Sequence, residues 1–398
     1  MSLELHVVVL GAGYSGLACA TRLARRLRAY DKVAITVVGP SPRFTERLRL
    51  HAQAAGHASA DLPIEELLDG TGIEFVCGTA TNIDTETRRV TVETLGQVRG
   101  IEYDTLVYAI GSVTDTAVVP GADQHAYTLN SPQEAARVAR KLAELPDGSQ
   151  VTVCGGGLTG IEAATEFAEA YPALRVSLVS SGEPGAMMGP RARAHMHRAF
   201  GRLRVTVRSG RVTKVLPDAV EIGGTGLLPS DLTLWTTGVR VSALAAEAGI
   251  GTDAAGVVTV DPTLRSITHP DIYAVGDAAA IRQPWGAVHG TCQSGIPAGA
   301  HAADSIAREL HGAVPKPFRF GYFHQPVSLG RHDAVIQFTH HDDTPGRFVL
   351  TGKWAVRYKE WVSSTPPVTF VKMKGLFGLL RPTGMSKGGR ATRKPYRD

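Results

Sequence analysis

The sequence predicts an α/β fold built on two Rossmann-like dinucleotide-binding domains, because a strand, a glycine cluster and a helix-forming stretch follow one another twice. The first copy begins at His6 with HVVVLGAGYSGLACATRLARRL, and the second begins at Gln150 with QVTVCGGGLTGIEAATEFAEA. The chain has 398 residues, 43% of them hydrophobic, so it is long enough for two or three domains with their own cores.

In the first copy, Val7–Leu10 is predicted to be a buried parallel strand and a helix is predicted from Tyr14 onwards. The connection is a full G-x-G-x-x-G, namely Gly11, Ala12, Gly13, Tyr14, Ser15 and Gly16. Its three glycines in turn allow a tight turn, the approach of a pyrophosphate and close packing of helix on strand. Free amides at the start of the helix, aided by the helix dipole, then face the phosphates.

The second copy repeats every part, with a strand at Val151–Cys154, glycines from Gly155 and a helix predicted from Ile161. Its turn supplies the second set of phosphate-facing residues: Gly157, Leu158, Thr159 and Gly160. Two motifs in the same strand–turn–helix context predict two bound dinucleotides.

A third segment, HPDIYAVGDAAAI, places a predicted strand, Ile272–Val275, before Gly276 and Asp277. A helix-compatible run follows Asp277. Taken alone, Asp277 is equally well explained as an ordinary helix cap.

These pieces occur in the order found in one known family. LGAGYSG, LVYAIGS at 106–112, VCGGGLTGIEAATEF, LWTTGV at 234–239 and IYAVGDAA together cover roughly residues 6–310. The chain resembles the two-dinucleotide-binding flavoprotein oxidoreductases of the pyridine nucleotide-disulfide oxidoreductase superfamily, and most of all their type II NADH dehydrogenase-like branch. The resemblance implies FAD on the first motif and a nicotinamide nucleotide, NAD(P)H, on the second.

The resemblance also implies roles for single residues. Asp277 would bond the ribityl chain of FAD, Gly111 would lie at a domain crossover, and Gly238 would lie near the nicotinamide. The further cofactor-binding residues it implies are Pro40, Arg43, Ala80, Ala109, Gly276, Ser180 and Cys292.

The implied layout is an FAD domain formed by residues 1–115 and 256–325, with a nucleotide domain, 116–255, inserted between the two segments. A small α+β region, 326–398, would complete the chain and end in a basic tail. Within it, HDAVIQFTHHDDTPGRFVLTG predicts two strands around a turn and KWAVRYKEWV predicts a helix. This region would form an interface, and a homodimer is left open.

Two positions depart from the usual ribose-binding pattern. Gly39 stands where many FAD folds have an acid at the end of the second strand, so backbone, Ser41 or Arg43 must take over ribose recognition. Ser180 and Ser181 stand where an acid would indicate NADH. Without that carboxylate a 2′-phosphate is not repelled, and Arg191 or Arg193 could bind it. NADPH is therefore favoured over NADH, although Glu183 is close by.

Glu162 and Gln293 are the candidate catalytic residues. Glu162 and Glu166 match the family's G-x-x-G-x-E-x-x-x-E, and by resemblance Glu162 would orient the nicotinamide carboxamide; the alternative is a solvated helix carboxylate. Gln293 matches the first glutamine of the A-Q-x-A-x-Q stretch of type II dehydrogenases, whereas Pro297 replaces the second. No histidine can be singled out as a proton donor; His51, His289 and His301 are the visible candidates.

Composition argues against several other classes of protein, namely metalloproteins, disulfide reductases, membrane-spanning proteins and nucleic-acid-binding proteins. Four cysteines stand far apart without zinc spacing, which predicts no metal site, no redox disulfide and a reducing cytoplasm. No apolar stretch is long enough to span a membrane, and because neither a basic region nor a cleavage site accompanies the first apolar run, we expect no secretory signal. The basic segment KMKGLFGLLRPTGMSKGGRATRKPYRD predicts at most weak contact with anionic lipid, and no nucleic-acid motif accompanies it.

The function expected from the sequence is an FAD-dependent NAD(P)H oxidoreductase. It would pass hydride to FAD and electrons on to a small soluble acceptor, a quinone-like compound. The alternatives are a peripheral type II NADH:quinone dehydrogenase and a flavin redox sensor that changes a partner-binding surface.

Overall fold

The computed structural model describes residues 5–30 and 32–376, so the basic tail beyond 376 lies outside the described residues. The first of two parallel sheets has five strands, β1 (Leu5–Leu10), β2 (Val33–Gly39), β3 (Glu74–Cys77), β7 (Thr105–Tyr108) and β18 (Ile272–Ala274). Their order across the sheet is β18-β7-β1-β2-β3. The central strand is a run of buried valines because helices and loops cover both faces of a parallel sheet.

Two long helices pack together on this sheet: α1 (Tyr14–Arg26) and α9 (Cys292–Leu310). They approach closely because small residues line the contact, so that a Cβ at Gly299 would lie 2.0 Å from the Ser15 carbonyl oxygen. Arg22 is buried in this contact and forms a two-pronged ion pair with Asp304 on α9. The remaining elements here are α2 (Leu50–Ala54), α3 (Ile64–Leu68), the antiparallel β4 (Thr79–Asp84), β5 (Arg89–Thr94) and β6 (Gln97–Glu102), and the two-residue strands β17 (Val258–Thr259), β19 (Ala279–Ala280), β20 (Arg282–Gln283) and β21 (Gly286–Ala287).

A second parallel sheet has the order β11-β10-β9-β15. Its strands are β9 (Gln150–Cys154), β10 (Arg175–Ser180), β11 (Thr206–Ser209) and β15 (Leu232–Trp235). Around it lie α4 (Ala122–His125), α5 (Pro132–Glu144), α6 (Leu158–Ala170), α7 (Pro190–Arg202), α8 (Leu244–Glu247) and the antiparallel β12 (Val212–Val215), β13 (Ala219–Ile222) and β14 (Gly226–Pro229). Helix α5 starts where the sequence provides Ser131 as a cap and Pro132 at the first helical position.

The chain passes between the two parallel sheets along a pair of short antiparallel strands, β8 (Ser112–Thr114) and β16 (Val239–Val241). Gly111 and Gly238 immediately precede these strands. Both therefore lie where the chain crosses from one sheet to the other.

The C-terminal part is a three-stranded antiparallel sheet, β22 (His324–Ser328), β23 (Ala334–Thr339) and β24 (Pro345–Thr351), followed by α10 (Gly352–Met373). The end of α10 packs beside the elements around the five-stranded sheet, where Phe370 and Met373 are buried with Phe44 and Ile64. No helix within the described residues is long and apolar enough to cross a bilayer.

Several local expectations were wrong in detail. Helix α6 begins at Leu158 rather than Ile161, and α10 extends well beyond the predicted stretch. The run after Gly276 does not form a helix: Gly276–Ala278 is a single 3-10 turn and the chain then enters β19. Asp277 is therefore not the cap of an α-helix.

Candidate functional site

The first glycine turn has the geometry of a phosphate-binding turn. Gly11 has φ +113°, and a Cβ there would lie 2.2 Å from the Ala109 carbonyl oxygen. A Cβ at Gly16 would lie 1.8 Å from the Gly11 carbonyl oxygen, so α1 can pack here only without a side chain. A Cβ at Gly13, by contrast, would meet no atom within 4 Å. The open space lies at the N-terminus of α1, which has neither a side-chain cap nor an acid in its first turn.

The second glycine turn repeats this geometry. Gly155 has φ +128°, and a Cβ at Gly160 would lie 1.9 Å from the Gly155 carbonyl oxygen. A Cβ at Gly157 would meet no described atom within 4 Å, and α6 starts without a side-chain cap or an acid in its first turn. Leu158 and Thr159 occupy that first turn. Each turn can thus accept an anion on free backbone amides.

Each glycine turn lies against the end of the next strand of its sheet, β2 in the first copy and β10 in the second, and the two contacts differ. In the first, a Cβ at Gly39 would lie 2.7 Å from the Cβ of Ala12. In the second, the side chain is on the strand: a Cβ at Gly156 would lie 2.2 Å from the Ser180 Oγ. Each turn thus has space for one small side chain, supplied by the turn in one copy and by the strand in the other.

Asp277 lies beside the first turn. Its Oδ2 accepts a hydrogen bond of 2.6 Å from the Ser112 Oγ, and the Gly290 backbone approaches its Oδ1. Ser15 is buried between Gly276 and Gly295, because a Cβ at either glycine would lie within 2.6 Å of the Ser15 Oγ. The structure therefore brings Asp277, Ser15 and the start of α9 together at the carboxyl end of β1.

The remaining expected FAD-side residues lie at different places around this turn. Ala109 directly follows β7 and presents its carbonyl to Gly11, whereas Ala80 is in β4. Pro40 is exposed just after β2. Arg43 is also exposed, and its guanidinium pairs with Asp61, so its side chain already has an acidic partner.

Tyr14 is partly buried, and its ring packs edge-on against Phe44 at 5.0 Å. Burial raises the pKa of the Tyr14 hydroxyl, so this group stays protonated. Cys292, the first residue of α9, contributes to that shift, which places it near Tyr14. Burial likewise raises the pKa of the Cys292 thiol to about 11, and the charges of Asp277 and Lys359 also act on it. A neutral thiol lies at the start of α9.

Gln293 is fully engaged with the backbone. Its Nε2 donates to the His324 carbonyl oxygen at 3.0 Å, and its Oε1 accepts from the Phe323 amide at 2.8 Å. The side chain thus fixes the start of α9 to the start of β22.

Glu162 is buried one turn into α6, so the interpretation as a solvated carboxylate is wrong. It forms an ion pair with Lys359 of α10 and accepts a hydrogen bond of 3.0 Å from the Ser328 amide. Lys359 also donates to the Ser328 Oγ at 2.7 Å. Burial opposes ionisation most strongly, but the charges of Lys359 and His51 and the hydrogen bonds from Lys359 and Ser328 together outweigh it, so the pKa of Glu162 is lowered.

Sequence reasoning missed Lys359, because nothing in its local pattern distinguishes it from other helical lysines. It also could not select His51 from among the histidines. The His51 Nδ1 lies 3.5 Å from the Glu162 Oε2, and burial lowers the pKa of His51 to about 4. His301, another candidate, contacts the Lys316 carbonyl oxygen, and His289 pairs with Asp343.

The two arginines that the sequence offers for a 2′-phosphate, Arg191 and Arg193, have different surroundings. Arg193 pairs with Glu183 at 3.2 Å and donates to the Met188 carbonyl oxygen at 2.6 Å. Arg191 is exposed at the second position of α7. Within the described part of the chain, no cluster of three or more His, Cys, Asp or Glu side chains is arranged to hold a metal.

Comparisons with known proteins agree with this architecture. Residues 5–307 match the family described as pyridine nucleotide-disulphide oxidoreductase. The chain is 30% identical to an NADH dehydrogenase-like protein of Mycobacterium tuberculosis, covering 83% of this chain and 87% of that protein. It is 27% identical to a type II NADH:quinone oxidoreductase of Staphylococcus epidermidis, covering 83% and 88%.

Solved structures show the same fold at lower identity. The sulfide:quinone oxidoreductase of Aquifex aeolicus superposes with a TM-score of 0.79 at 21% identity, covering 92% of each chain. The NDH2 of Plasmodium falciparum in complex with NADH superposes with a TM-score of 0.77 at 17% identity, covering 94% of this chain and 99% of that one.

Proposed function

Because the chain belongs to the pyridine nucleotide-disulphide oxidoreductase family and to its type II NADH dehydrogenase-like branch, we propose that it is an FAD-dependent NAD(P)H oxidoreductase. FAD, when bound, would accept hydride from the nicotinamide and would supply the electrons for a small quinone-like acceptor. The domain layout inferred from the sequence, with the nucleotide domain inserted into the FAD domain, is part of the proposal.

The observation that carries the proposal is the pair of matching glycine turns. In each, two glycines are required by the protein's own packing, whereas the middle glycine, Gly13 or Gly157, borders open space at an uncapped helix start. A glycine that no protein atom requires is explained by a ligand that approaches its backbone. Two dinucleotides fit these two turns.

FAD, when bound, supplies the two-electron redox centre. The first turn, Asp277 and the start of α9 would hold it, while Gly157 to Gly160 and Ser180 would hold the nicotinamide nucleotide. Tyr14 and Cys292, both partly buried, have raised pKa values, stay neutral and add no charge to the flavin side. Gln293 acts by fixing α9 to β22, and Glu162, held by Lys359, orients the nicotinamide from α6.

The test begins with the purified protein. Denaturation followed by chromatography should release non-covalent FAD, and recovery of FMN or of no flavin contradicts the assignment. Stopped-flow reduction by NADH and by NADPH then measures the donor half-reaction, and a panel of soluble quinones measures the acceptor half-reaction. Reduced flavin that persists for minutes with every acceptor would instead support a redox sensor.

We further propose that NADPH is used at least as well as NADH. Ser180, beside Gly156, is the side chain nearest the second turn at the end of β10, and it carries no charge. Arg191 is exposed at the start of α7, whereas Arg193 is already paired with Glu183, so Arg191 is the better candidate for a 2′-phosphate.

The second candidate function is a peripheral dehydrogenase that uses quinone at a membrane. The outer face of α10 favours it, because Trp354 and Trp361 are 67% and 63% exposed, two turns apart, with Arg357 between them. Indole rings beside cations are suited to a lipid interface. Dependence of turnover on vesicles distinguishes this function from reduction of a soluble acceptor.

A further inference from the structure

Glu166 lies one turn beyond Glu162 on α6 and is more deeply buried than Glu162, with 1% of its surface exposed. Neither of its oxygens has a hydrogen-bond partner among the described residues. A buried carboxylate without such a partner is costly unless it takes up a proton. Burial accordingly raises the pKa of Glu166 to about 7.

Charged and titratable groups face Glu166 from each element packed around it. Glu162 and Glu169 lie on its own helix, His51 on α2, His57 just beyond α2, Arg331 after β22, and Lys359 on α10. Arg331 and Lys359 lower its pKa, whereas Glu169 and Glu162 raise it. The balance leaves a group able both to bind and to release a proton near neutral pH.

Two histidines flank this carboxylate on opposite oxygens. The His57 Nε2 lies 3.7 Å from Oε2, and the His51 Nε2 lies 4.0 Å from Oε1. The His57 Nε2 likewise lacks a hydrogen-bond partner among the described residues. Each gap exceeds hydrogen-bond length by about 1 Å or less, so a small side-chain rotation closes it.

The groups form a continuous line. His57 is 39% exposed at the outer end. At the inner end the His51 Nδ1 lies 3.5 Å from Glu162, which is paired with Lys359. Tyr358, next to Lys359, hydrogen-bonds His324, whose carbonyl oxygen accepts from Gln293 at the start of α9, so the inner end of the line lies toward that helix start.

We propose that Glu166 is a proton carrier that connects solvent, through His57, with the buried Glu162–Lys359 pair, through His51. The proposal rests on the proposed function, in which the acceptor is a quinone. One NAD(P)H and one quinone yield one NAD(P)⁺ and one quinol: the C4–H bond of the nicotinamide breaks and two O–H bonds form. Hydride supplies both electrons and one of the two hydrogens, and the remaining proton comes from solvent along this line.

The first test does not depend on turnover. Infrared spectra of the purified protein are recorded as a function of pH, in the native protein, in Glu166→Gln and in the control Glu169→Gln. We expect a protonated-carboxyl band that disappears around neutral pH in the native protein and is absent in Glu166→Gln. In Glu169→Gln the band should persist with a lower midpoint, since a neighbouring negative charge has been removed. A native protein without such a band, or a band that survives in Glu166→Gln, overturns the proposal.

The second test separates the two half-reactions by stopped flow. Reduction by nicotinamide should be unchanged in Glu166→Gln, while reoxidation by a soluble quinone should slow about tenfold or more, as for loss of a general acid. The native reoxidation rate should fall above about pH 7, and this pH dependence should be absent in Glu166→Gln. Glu166→Asp should restore part of the rate, and so should added imidazole.

His57→Gln provides a variant at the partly exposed end of the line and leaves Glu166, His51 and Glu162 in place. It should slow reoxidation while leaving the infrared titration of Glu166 in place. Normal quinone reduction that is unaffected by either Glu166→Gln or His57→Gln overturns the proton-carrier role alone. A native protein that reduces no quinone overturns the proposed function instead.

Discussion

Ser180 and Ala12 show how one small side chain occupies the space beside each glycine turn. The Ser180 Oγ occupies the space that a Cβ at Gly156 would need, and Ala12 occupies the equivalent space beside Gly39 in the first turn. A longer side chain at 180 therefore starts from a Cβ that is already accommodated, whereas any side chain at 39 meets Ala12. The second turn can gain an acid by a single substitution, and the first cannot.

Ser180→Glu should shift nucleotide preference from NADPH toward NADH by tenfold or more. A carboxylate there can bond the ribose hydroxyls and repels a 2′-phosphate; such a polar contact contributes about 1–3 kcal/mol. The measurement is the rate of flavin reduction against the concentration of each nucleotide. Ser181→Glu, one residue along and exposed, is the matched control and should change the preference much less. Strong NADH preference in the native protein that Ser180→Glu leaves unaltered would show that another group recognises the ribose.

Glu166 should make the stability of the native protein fall with rising pH. Its folded pKa, about 7, lies above the ordinary 4.5, so its contribution is fully present below about pH 4.5 and is lost as pH rises through 7. In Glu166→Gln this loss is absent. Relative to the native protein the variant should therefore be more stable at pH 8 than at pH 5, by up to about 3 kcal/mol. Urea unfolding at both pH values measures the difference, and equal differences would place the Glu166 pKa near its ordinary value.

At the scale of elements, the sequence predicts the start of α1 at Tyr14 and the strands β1 and β9 to within two residues, because the glycine clusters mark where strand ends and helix begins. It fails where tertiary packing overrides the local pattern. The predicted helix KWAVRYKEWV ends at Val362, before Pro366 and Pro367, yet α10 continues through both prolines to Met373. Burial of Pro366, Phe370 and Met373 offsets the lost backbone hydrogen bonds. The run after Asp277 looks helical but pairs instead as β19 with β17.

The glycines of the second turn should separate into a binding and a packing class. Gly157→Ala adds a methyl group to open space, so it should leave thermal stability unchanged and weaken nucleotide-driven flavin reduction about tenfold or more. Gly160→Val brings a branched side chain to within 1.9 Å of the Gly155 carbonyl oxygen, so it should lower both stability and reduction. Bound FAD should remain in both variants. Reduction rates, flavin content and melting temperatures are the measurements; loss of FAD from Gly160→Val would show that the two dinucleotide sites are reversed.

At the scale of the whole molecule, the fold brings residues of the candidate site together from distant parts of the chain. Glu162 and Lys359 stand 197 residues apart in the chain, and Ser328 bonds both. The C-terminal sheet and α10 bring Lys359 to the second glycine helix, so this region contributes a charge to the site as well as an outer surface. A sequence motif could identify Glu162, but only the fold supplies its partner.

The outer face of α10 predicts how the molecule should behave toward lipid. Double substitution of Trp354→Ser and Trp361→Ser removes two exposed indole rings, and full burial of one large apolar side chain contributes about 1.5–3 kcal/mol. If these rings enter an interface, co-sedimentation of the full chain with anionic vesicles should fall tenfold or more, while turnover with a soluble quinone stays unchanged.

The control is Leu95→Ser, at a fully exposed apolar residue in the hairpin between β5 and β6, and it should not alter vesicle binding. Neutral vesicles should bind less than anionic ones, because Lys353, Arg357 and Lys372 are also exposed on α10. Vesicle binding that is equal in the native protein and the double variant would remove the support for the peripheral dehydrogenase and leave the soluble acceptor.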